Sequence, residues 1–380
     1  MSGGIVQLVA TGAQDAWLTG KPEVSFYRSS YKRYTHYAMS PERQLIQGNP
    51  SAGNISTIRF EKKGDLINYV YLIAKDSTGA LIPGINWTNV IDKVELLIGG
   101  QIVDTQDITW MSNVEAVTGA QNFSQRYLNN GTGPNNITNG FLPLKFFFCK
   151  DWNVSLPLVA LQYHDVEIRI TWSTALGTTL NLTGMPAPVT YASFQYEAWT
   201  NFVYLDQAER EYFANTPMDL LITQMNRIPI ATTNMQELAL AHPIKFLAFS
   251  ANNYSTVYTA NVATQPSSSY QFKTQINGVD VGDSRSMFQW IDVPQYYHTP
   301  YGYNHNNATA NVALISYCLD TSKLQPTGTL NFSRIDTYRI VAPAGVSLST
   351  LAGGSGRYFY AMNYNVLRIK DGMGGLLYSN

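Results

Sequence analysis

The sequence predicts an all-β fold: two tandem eight-stranded antiparallel jelly rolls (a double jelly roll) with few short helices. Three observations lead to this prediction. The chain has 380 residues, of which 45% are hydrophobic, enough for two domains of about 170–200 residues with a core in each. Its dominant pattern is strand, turn, strand. A hairpin motif also recurs about half a chain apart.

Runs rich in β-branched and aromatic residues alternate along the chain with clusters of Gly, Asn, Pro and Ser, which favour turns. The predicted strands include Leu66–Ala74, Val90–Ile98, Phe141–Cys149, Val166–Trp172, Ile244–Phe249, Tyr270–Ile276 and Tyr358–Ile369. Long Asn/Thr/Gly-rich loops between strands suit jelly rolls, because two sheets that bury alternate residues tolerate insertions in their loops.

Two segments indicate an internal duplication. Ile98–Val103 and Ile276–Val281 each contain a two-residue turn, Gly-Gly in the first and Asn-Gly in the second, at an offset of 178 residues. Both dipeptides tolerate the positive φ angles of a type I′ hairpin turn. A second match, between Leu161–Tyr163 and Leu330–Phe332, has an offset of 169 residues. Two matches in the same order predict a diverged tandem repeat of one β domain.

The most convincing helix spans Asp206–Ala214, near the middle of the chain. Asp206 suits the N-cap position, Glu209 follows three residues later, and Pro217 lies just beyond the end. We interpret this helix as the element that closes the first domain.

The predicted organisation is an N-terminal arm at residues 1–22, a first jelly roll at 23–215 and a second jelly roll at 216–380. The arm combines glycines, which disfavour independent folding, with apolar residues, which disfavour a solvated tail. We therefore expect it to order by docking under its own or a neighbouring assembly unit. The alternative is that Ile5–Val9 forms the first strand of the first roll.

Composition favours a protein with large covered surfaces. Only 13% of residues are charged, and the chain contains 25 Tyr, 16 Phe and 7 Trp. Aromatic residues are favoured both on strands and in subunit contacts, so a β-rich core alone remains an alternative explanation. Net charge is −1. The N-terminal basic residues Lys21, Arg28, Lys32 and Arg33 are a mild excess over Asp15 and Glu23, which predicts no direct contact with nucleic acid.

The two cysteines, Cys149 and Cys318, lie in apolar runs and cannot form a disulfide framework. Free cysteines of this kind fit a reducing compartment such as the cytoplasm. No stretch approaches the roughly 18 apolar residues of a membrane span. The start, Met-Ser-Gly-Gly, lacks the pattern of a signal peptide, and Ser2 is incompatible with myristoylation.

No catalytic, cofactor-binding or metal-ligating residues are predicted, and the chain is not expected to be an enzyme. The histidines form neither a His-x-His nor a His-Glu-x-x-His pattern; they are His36, His164, His242, His298 and His305. His164 and Asp165 are adjacent strand residues, which point to opposite faces, so a structural role is predicted for them. Gly353–Gly356 and Gly372–Gly375 lack the Lys-Ser/Thr ending of a phosphate-binding loop.

Asn-x-Ser/Thr triplets recur along the chain and leave open whether the protein is a glycoprotein. They include those at Asn54, Asn86, Asn122, Asn136, Asn153, Asn181, Asn253, Asn307 and Asn331. The alternative is that polar loops of β proteins are simply built from these residues.

Several blocks, in order from the first residues to the last, resemble the major capsid proteins of nucleocytoplasmic large DNA viruses of the algal-virus (phycodnavirus) and iridovirus type. The blocks are Gly3–Asp15, Leu18–Gly20, Phe26–Thr35, Leu156–Val166, Leu205–Arg210, His242–Lys245, Leu330–Asp336 and Asn363–Gly375. The resemblance implies two jelly rolls side by side and three chains per capsomer, so that six barrels make a roughly hexagonal block of an icosahedral shell.

The same resemblance implies partners and a location. The shell would lie over an internal membrane, with minor capsid and penton proteins as partners, and would assemble in the host cytoplasm. Family members can carry glycans outside ordinary sequons. The chain is compact for the family, so the outward loops Asn252–Ser269 and Tyr296–Ala310 are expected to be short. Two alternatives are a minor capsid or penton protein and a carbohydrate-binding β-sandwich, the latter of which would need clustered ligands.

Overall fold

The structure is a computed structural model that describes residues 3–82, 85, 87–119, 141–180, 189–250, 271–300, 312–352 and 356–378. The chain divides into two units, Met1–His36 and Tyr37–Asn380. The first unit contains two short helices, α1 (Gly3–Val9) and α2 (Ala16–Thr19), neither of which buries a side chain. The alternative of a strand at Ile5–Val9 is therefore wrong. A helix satisfies its own backbone groups, whereas a strand would need a partner, and the described part of this unit contains none.

The first part of the second unit forms two antiparallel sheets. One has the order β1-β12-β4-β7, with β8 also paired to β4, and the other has the order β2-β3-β9-β5-β6. The strands are β1 (Tyr37–Gln44), β2 (Ile46–Gln47), β3 (Ile55–Arg59), β4 (Leu66–Lys75), β5 (Ile91–Ile98), β6 (Gln101–Asp107), β7 (Phe141–Pro143), β8 (Leu156–Pro157), β9 (Val166–Trp172), β10 (Thr179–Leu180), β11 (Val189–Thr190) and β12 (Gln195–Leu205). Strands β10 and β11 pair with each other alone.

The second part repeats this plan. One sheet has the order β13-β22-β15-β19, with β20 and β23 added, and the other has the order β14-β21-β16-β17, with β18 added. The strands are β13 (Met218–Pro229), β14 (Met235–Glu237), β15 (Pro243–Ser250), β16 (Gln271–Ile276), β17 (Val279–Asp280), β18 (Arg285–Ser286), β19 (Val312–Ser316), β20 (Leu330–Asn331), β21 (Tyr338–Val341), β22 (Tyr358–Lys370) and β23 (Met373–Leu376).

The two parts have the same topology when their strands are taken in chain order. The first, eighth, third and sixth main strands of each part make one sheet, and the second, seventh, fourth and fifth make the other. This is the jelly-roll arrangement, repeated once, so the predicted double jelly roll is confirmed. Both predicted hairpin turns connect the fourth and fifth strands, with φ angles of 58° and 81° in the first roll and 50° and 80° in the second.

Helices are few in the second unit. They are α3 (Glu115–Thr118), α4 (Gln207–Asn215), α5 (Met287–His298) and α6 (Leu348–Leu351). A π-helical turn covers Trp110–Val114, and 3-10 turns cover Trp87–Asn89, Phe147–Cys149, Trp152–Val154, Thr174–Gly177, Tyr191–Ser193 and Phe332–Arg334. The predicted helix between the rolls is confirmed as α4, and the Asp206 side chain caps it by accepting from Gln207 N at 2.9 Å.

Alternation of side chains explains why the predicted strands form. In β9, Val166, Ile168, Ile170 and Trp172 are buried, while the residues between them are half-buried. Strand β4 alternates in the same way from Val70 onward. Such period-two burial places one face of each sheet in the core and leaves the other for solvent or a partner.

Two predictions of local structure are corrected, and one helix was not predicted. The predicted strand Phe141–Cys149 ends at Pro143, and its buried Phe147 and Phe148 lie in a 3-10 turn. Helix α5 was not predicted, although Ser286 and Gln289 form a capping box at its start. Its last residues occupy the start of the predicted loop Tyr296–Ala310. Residues 301–310 and the other predicted loop lie outside the described residues.

The C-terminal strand is tied to the first roll. Tyr163 N donates to Gly372 O at 2.9 Å, and Gly374 N lies 3.2 Å from His164 Nδ1. The His164 ring also fills the space beside Gly99, where an added Cβ would lie 2.5 Å from Nδ1. The absence of a side chain at Gly99 therefore allows this contact between the hairpin and the C-terminal strand.

Gly99→Ala should destabilise the protein more than Gly100→Ala. Both positions have positive φ, so both variants carry backbone strain, but an added Cβ at Gly100 meets nothing within 4 Å. We expect Gly99→Ala to reduce the free energy of unfolding by about 1–3 kcal/mol more than Gly100→Ala, because the imidazole must move away from the Gly374 backbone. Urea denaturation of both variants measures the difference. Equal losses would show that His164 adjusts freely.

Candidate functional site

His164 and His242 lie in separate surroundings. His164 Nδ1 lies 2.8 Å from Gly374 O, whereas the Asp165 carboxylate pairs with Arg59, so the adjacent pair does not act as one unit. His242 has a left-handed φ of 72° just before β15. Within the described residues, no group of three or more His, Cys, Asp or Glu side chains is placed to hold a metal ion. His305 lies outside them.

Both cysteines are free. Burial raises the pKa of the Cys149 thiol to about 12 and also raises the pKa of Cys318. Because the thiolate is the reactive form, these side chains behave as small apolar groups and not as nucleophiles.

The two rolls meet at an apolar junction. Trp110, fully buried in the π-helical turn after β6, stacks on Phe246 of β15 with ring centroids 6.2 Å apart. Its ring centroid also lies 5.7 Å from that of Tyr360 on β22. Met111 and Val114 belong to the same buried cluster. The helical segment that follows β6 therefore covers one face of the second roll's sheet β13-β22-β15-β19.

Alternation along β22 shows which face is covered. Phe359 and Ala361 belong to the second roll's own core, whereas Tyr360 and Met362 belong to the cluster shared with the first roll. The first roll therefore packs on the outer face of this sheet, the face directed away from the second roll's interior.

Asp104 of β6 is a buried carboxylate at the junction. Its Oδ1 accepts hydrogen bonds from Met225 N of the second roll at 2.9 Å and from Thr105 N at 3.0 Å, and its Oδ2 accepts from Gln106 Nε2 at 2.7 Å. Burial outweighs these hydrogen bonds and raises the pKa of Asp104 to about 6. The contact holds the rolls together at the cost of desolvating an acid.

Asp107, at the end of β6, is a second buried carboxylate in the junction. It accepts from Trp110 N at 2.6 Å and from the Tyr360 hydroxyl at 3.0 Å, and it pairs with Arg227 of β13 at 3.4 Å. Burial raises the pKa of Asp107 despite the nearby guanidinium. Burial and the adjacent carboxylate likewise raise the pKa of Tyr360. One carboxylate thus starts the helical turn of the first roll and binds two strands of the second.

Amide side chains extend this network. Gln224 Nε2 donates to Val103 O of the first roll, while its Oε1 accepts from Asn365 Nδ2 at 2.9 Å and from Asn363 Nδ2 at 3.2 Å. All three amides are buried. Buried polar networks of this kind favour one relative arrangement of two surfaces, because a displaced amide would lose its partners without gaining water.

A small cavity of about 60 Å³ lies between the rolls, lined by residues of both. Lys150 pairs with Glu115 at 3.2 Å beside it, and Thr321 Oγ1 donates to Thr118 O at 2.9 Å. Burial lowers the pKa of Lys245 to about 8, and its ammonium donates to Lys323 O at 2.6 Å. The cavity is part of the junction. Its polar groups form hydrogen bonds and ion pairs, some between the two rolls and some within one roll.

Outside the junction, aromatic residues collect on the outer face of the first roll's sheet β1-β12-β4-β7. Ring contacts link Trp152, Tyr69, Tyr71 and Phe141 in sequence, with centroids 5.8 to 6.3 Å apart. Trp199 lies opposite Tyr71 on the neighbouring strand. We call these five residues the aromatic face. Trp152 is 65% exposed, and the others are half-buried.

Sequence reasoning did not identify the junction residues. Asp104 and Asp107 occur in a strand whose hairpin was predicted, and Asn363 begins one of the family-like blocks, but their polar side chains gave no sign of a shared partner. The only local signal was a set of carboxylates and amides inside otherwise apolar strands, where burial requires a partner.

Family comparisons match both halves of the chain. Residues 25–206 match the model described as "Major capsid protein N-terminus", and residues 209–375 match "Large eukaryotic DNA virus major capsid protein". The major capsid protein of Paramecium bursaria Chlorella virus 1 is 31% identical over the full length of both chains. That of Pyramimonas orientalis virus is 29% identical, again over both full lengths.

Solved structures have the same fold. The PBCV-1 VP54 crystal structure, fitted into a reconstruction of the virophage Sputnik, superposes with a TM-score of 0.72 at 26% identity, covering 94% of this chain and 100% of that chain. A quasi-atomic model of the PBCV-1 virus capsid gives 0.70 at 25% identity with the same coverage. In the part of this chain that the structure describes, no helix is long and apolar enough to cross a membrane.

Asp104→Asn should change how stability depends on pH. The folded pKa of about 6 lies above the ordinary 3.8, so the stabilisation from the neutral acid is complete below the ordinary value and is lost as pH rises through about 6. From about pH 5 to about pH 7.5, the unfolding free energy of the variant should therefore rise by about 1–2 kcal/mol relative to wild type.

Urea denaturation at the two pH values, at fixed protein concentration, measures this change. Asp283→Asn removes an exposed carboxylate and is the matched control, for which we expect no comparable change. Identical pH dependence in wild type and Asp104→Asn would contradict the assignment.

Proposed function

Because this chain belongs to the major capsid proteins of large eukaryotic DNA viruses, a structural family and not an enzyme, we propose that it assembles as homotrimeric, pseudo-hexagonal capsomers. It is a component of the virion capsid and self-assembles into capsomers and shell, as capsid proteins of this family do. The finer proposal is that each capsomer contains three chains, and therefore six rolls.

The observation that carries the proposal is the repeat of one topology within the chain. Each roll has the same eight-strand arrangement. The junction, with its buried Trp110 and Asp104, holds the two as neighbours. Three such pairs placed around an axis give six similar barrels, a block that can contact six neighbours in a shell.

We further propose that the shell encloses an internal membrane and does not contact the genome directly. The net charge of −1 supports the absence of direct genome contact, since strong nucleic-acid binding requires many basic contacts. Minor capsid and penton proteins would complete the shell. The two free cysteines, of which Cys318 is buried and Cys149 half-buried, are consistent with assembly in the reducing host cytoplasm.

The proposed domain organisation is an arm at residues 1–22, a first roll at 23–215 and a second roll at 216–380. The helices α1 and α2 of the arm bury none of their own side chains, although Ile5, Trp17 and Leu18 are apolar. Short helices are marginal on their own and gain stability from packing. These apolar side chains support a role for the arm in docking against an assembly partner beneath the capsomer.

Purified protein should be a stable homotrimer. Light scattering should give a mass of about three times 42.3 kDa, because six rolls are needed to surround the axis. The mass should not change on dilution through the micromolar range. A protein that stays monomeric at these concentrations would contradict the capsomer proposal.

Deletion of Met1–Gly20 should separate trimer formation from shell formation. We expect the truncated protein to form trimers with nearly unchanged melting, because α1 and α2 belong to a unit distinct from the rolls. Assembly into shells, followed by electron microscopy, should fail. Loss of trimers or of cooperative melting would place the segment within the roll and refute the arm.

A further inference from the structure

The sheets β1-β12-β4-β7 and β13-β22-β15-β19 are equivalent in the two rolls, but their outer faces differ in what covers them. In the second roll, this face carries Phe246, Tyr360 and Met362, and the first roll covers it. In the first roll, the equivalent face is the aromatic face, and none of the described helices or strands of the second roll has a ring contact with it. Trp152 at its edge is 65% exposed.

The segment that covers the second roll also has an equivalent. Asp107 starts the first-roll helical segment by accepting from Trp110 N, and Ser286 starts α5 by accepting from Gln289 N, an offset of 179 residues. This agrees within one residue with the 178-residue offset of the hairpins. Both segments lie between the fifth and sixth main strands of their rolls.

Residues at equivalent positions differ sharply in burial. Val114 is fully buried at the junction, and its equivalent Val293 is 49% exposed. Thr118 is 1% exposed, and its equivalent Tyr297 is 71% exposed. Tyr296, three residues after Val293 and therefore on the same side of α5, is 65% exposed. Helix α5 therefore presents to solvent an apolar stripe at the positions that its counterpart uses to cover a neighbouring roll.

We infer that α5 of one copy docks on the aromatic face of the next copy, through Val293, Tyr296 and Tyr297, and so repeats between chains the contact that joins the rolls within a chain. This inference rests on the proposed trimer and names its contact surfaces. The occupant of each surface is a second copy of this chain, because the internal repeat already contains the same kind of contact.

The composition of the two surfaces suits a subunit contact. Tyr and Trp dominate both, and such residues are enriched at interface centres. Charged side chains at the margin of the aromatic face are already paired: Glu197 binds Arg43 at 3.3 Å and Lys75 at 2.9 Å. A rim of satisfied ion pairs around an aromatic centre can be covered without leaving an unpaired charge.

The contact is head-to-tail and can therefore close into a ring. Each copy offers one α5 stripe and one aromatic face, while the other helical segment and the other outer face are used up within the chain. A heterologous contact of this kind forms a closed ring when the rotation between units divides a full turn. Three chains with six similar roll-to-roll contacts satisfy that condition.

The test uses three full-length variants, one that alters the α5 stripe and two that alter the aromatic face. Val293→Lys with Tyr296→Lys places charges on the α5 stripe, and Tyr71→Lys places one on the aromatic face. Trp152→Lys is a second face variant, at a more exposed site. Tyr212→Lys on α4, 59% exposed, is the matched control. Melting curves establish that each variant is folded.

Wild type and Tyr212→Lys should be trimers by light scattering, and the stripe and face variants should each be monomers. An equimolar mixture of a stripe variant and a face variant should give heterodimers of about twice 42.3 kDa and nothing larger, because one intact pair of surfaces remains. Folded stripe and face variants that remain trimeric, or a mixture without heterodimers, would overturn the inference while leaving the trimer intact. A monomeric wild type would instead refute the proposed function.

Discussion

Trp110 and the carboxylate of Asp107 together fix the arrangement on which the rest of the molecule depends. The indole fills the space between the rolls against Phe246 and Tyr360, and the carboxylate holds the turn that presents it. Loss of a buried tryptophan of this kind typically costs about 3–5 kcal/mol. A jelly roll can fold alone, but a capsomer subunit needs two rolls that keep one fixed orientation relative to each other. The stacked aromatic rings stabilise the contact between the rolls. The buried polar groups around them favour one orientation of the rolls relative to each other.

Much of the fold could be predicted from the sequence because jelly-roll strands carry a local signal. Alternating runs such as Val166–Trp172 matched the observed strands almost to the residue, and Gly-Gly and Asn-Gly marked both hairpins. The predictions of local structure failed in segments that are rich in aromatic residues. Phe147 and Phe148 resemble a strand but lie in a buried 3-10 turn, and α5 contains Pro294 and β-favouring aromatics that obscured its capping box. In both segments, tertiary packing outweighs the strand propensity of the aromatic residues.

The junction and the α5 stripe could not be predicted, for a different physical reason. Asp104 meets Met225 across 121 residues, and Asp107 meets Tyr360 across 253, so no local pattern links the partners. Whether a tyrosine such as Tyr297 is covered or bare depends on which roll lies beside it. Burial of this kind is a property of the assembled pair of rolls, and only the three-dimensional arrangement shows that equivalent positions differ.

The tie between the last strand and the first roll has a consequence for synthesis. Tyr163 and His164 bind backbone groups of Gly372 and Gly374, contacts that span about 210 residues. A nascent chain emerging from the ribosome therefore lacks these partners until about 210 further residues have been added. Contacts of such high sequence separation also form late, because loop closure must precede them. The first roll therefore gains these contacts only after β22 of the second roll has been synthesised.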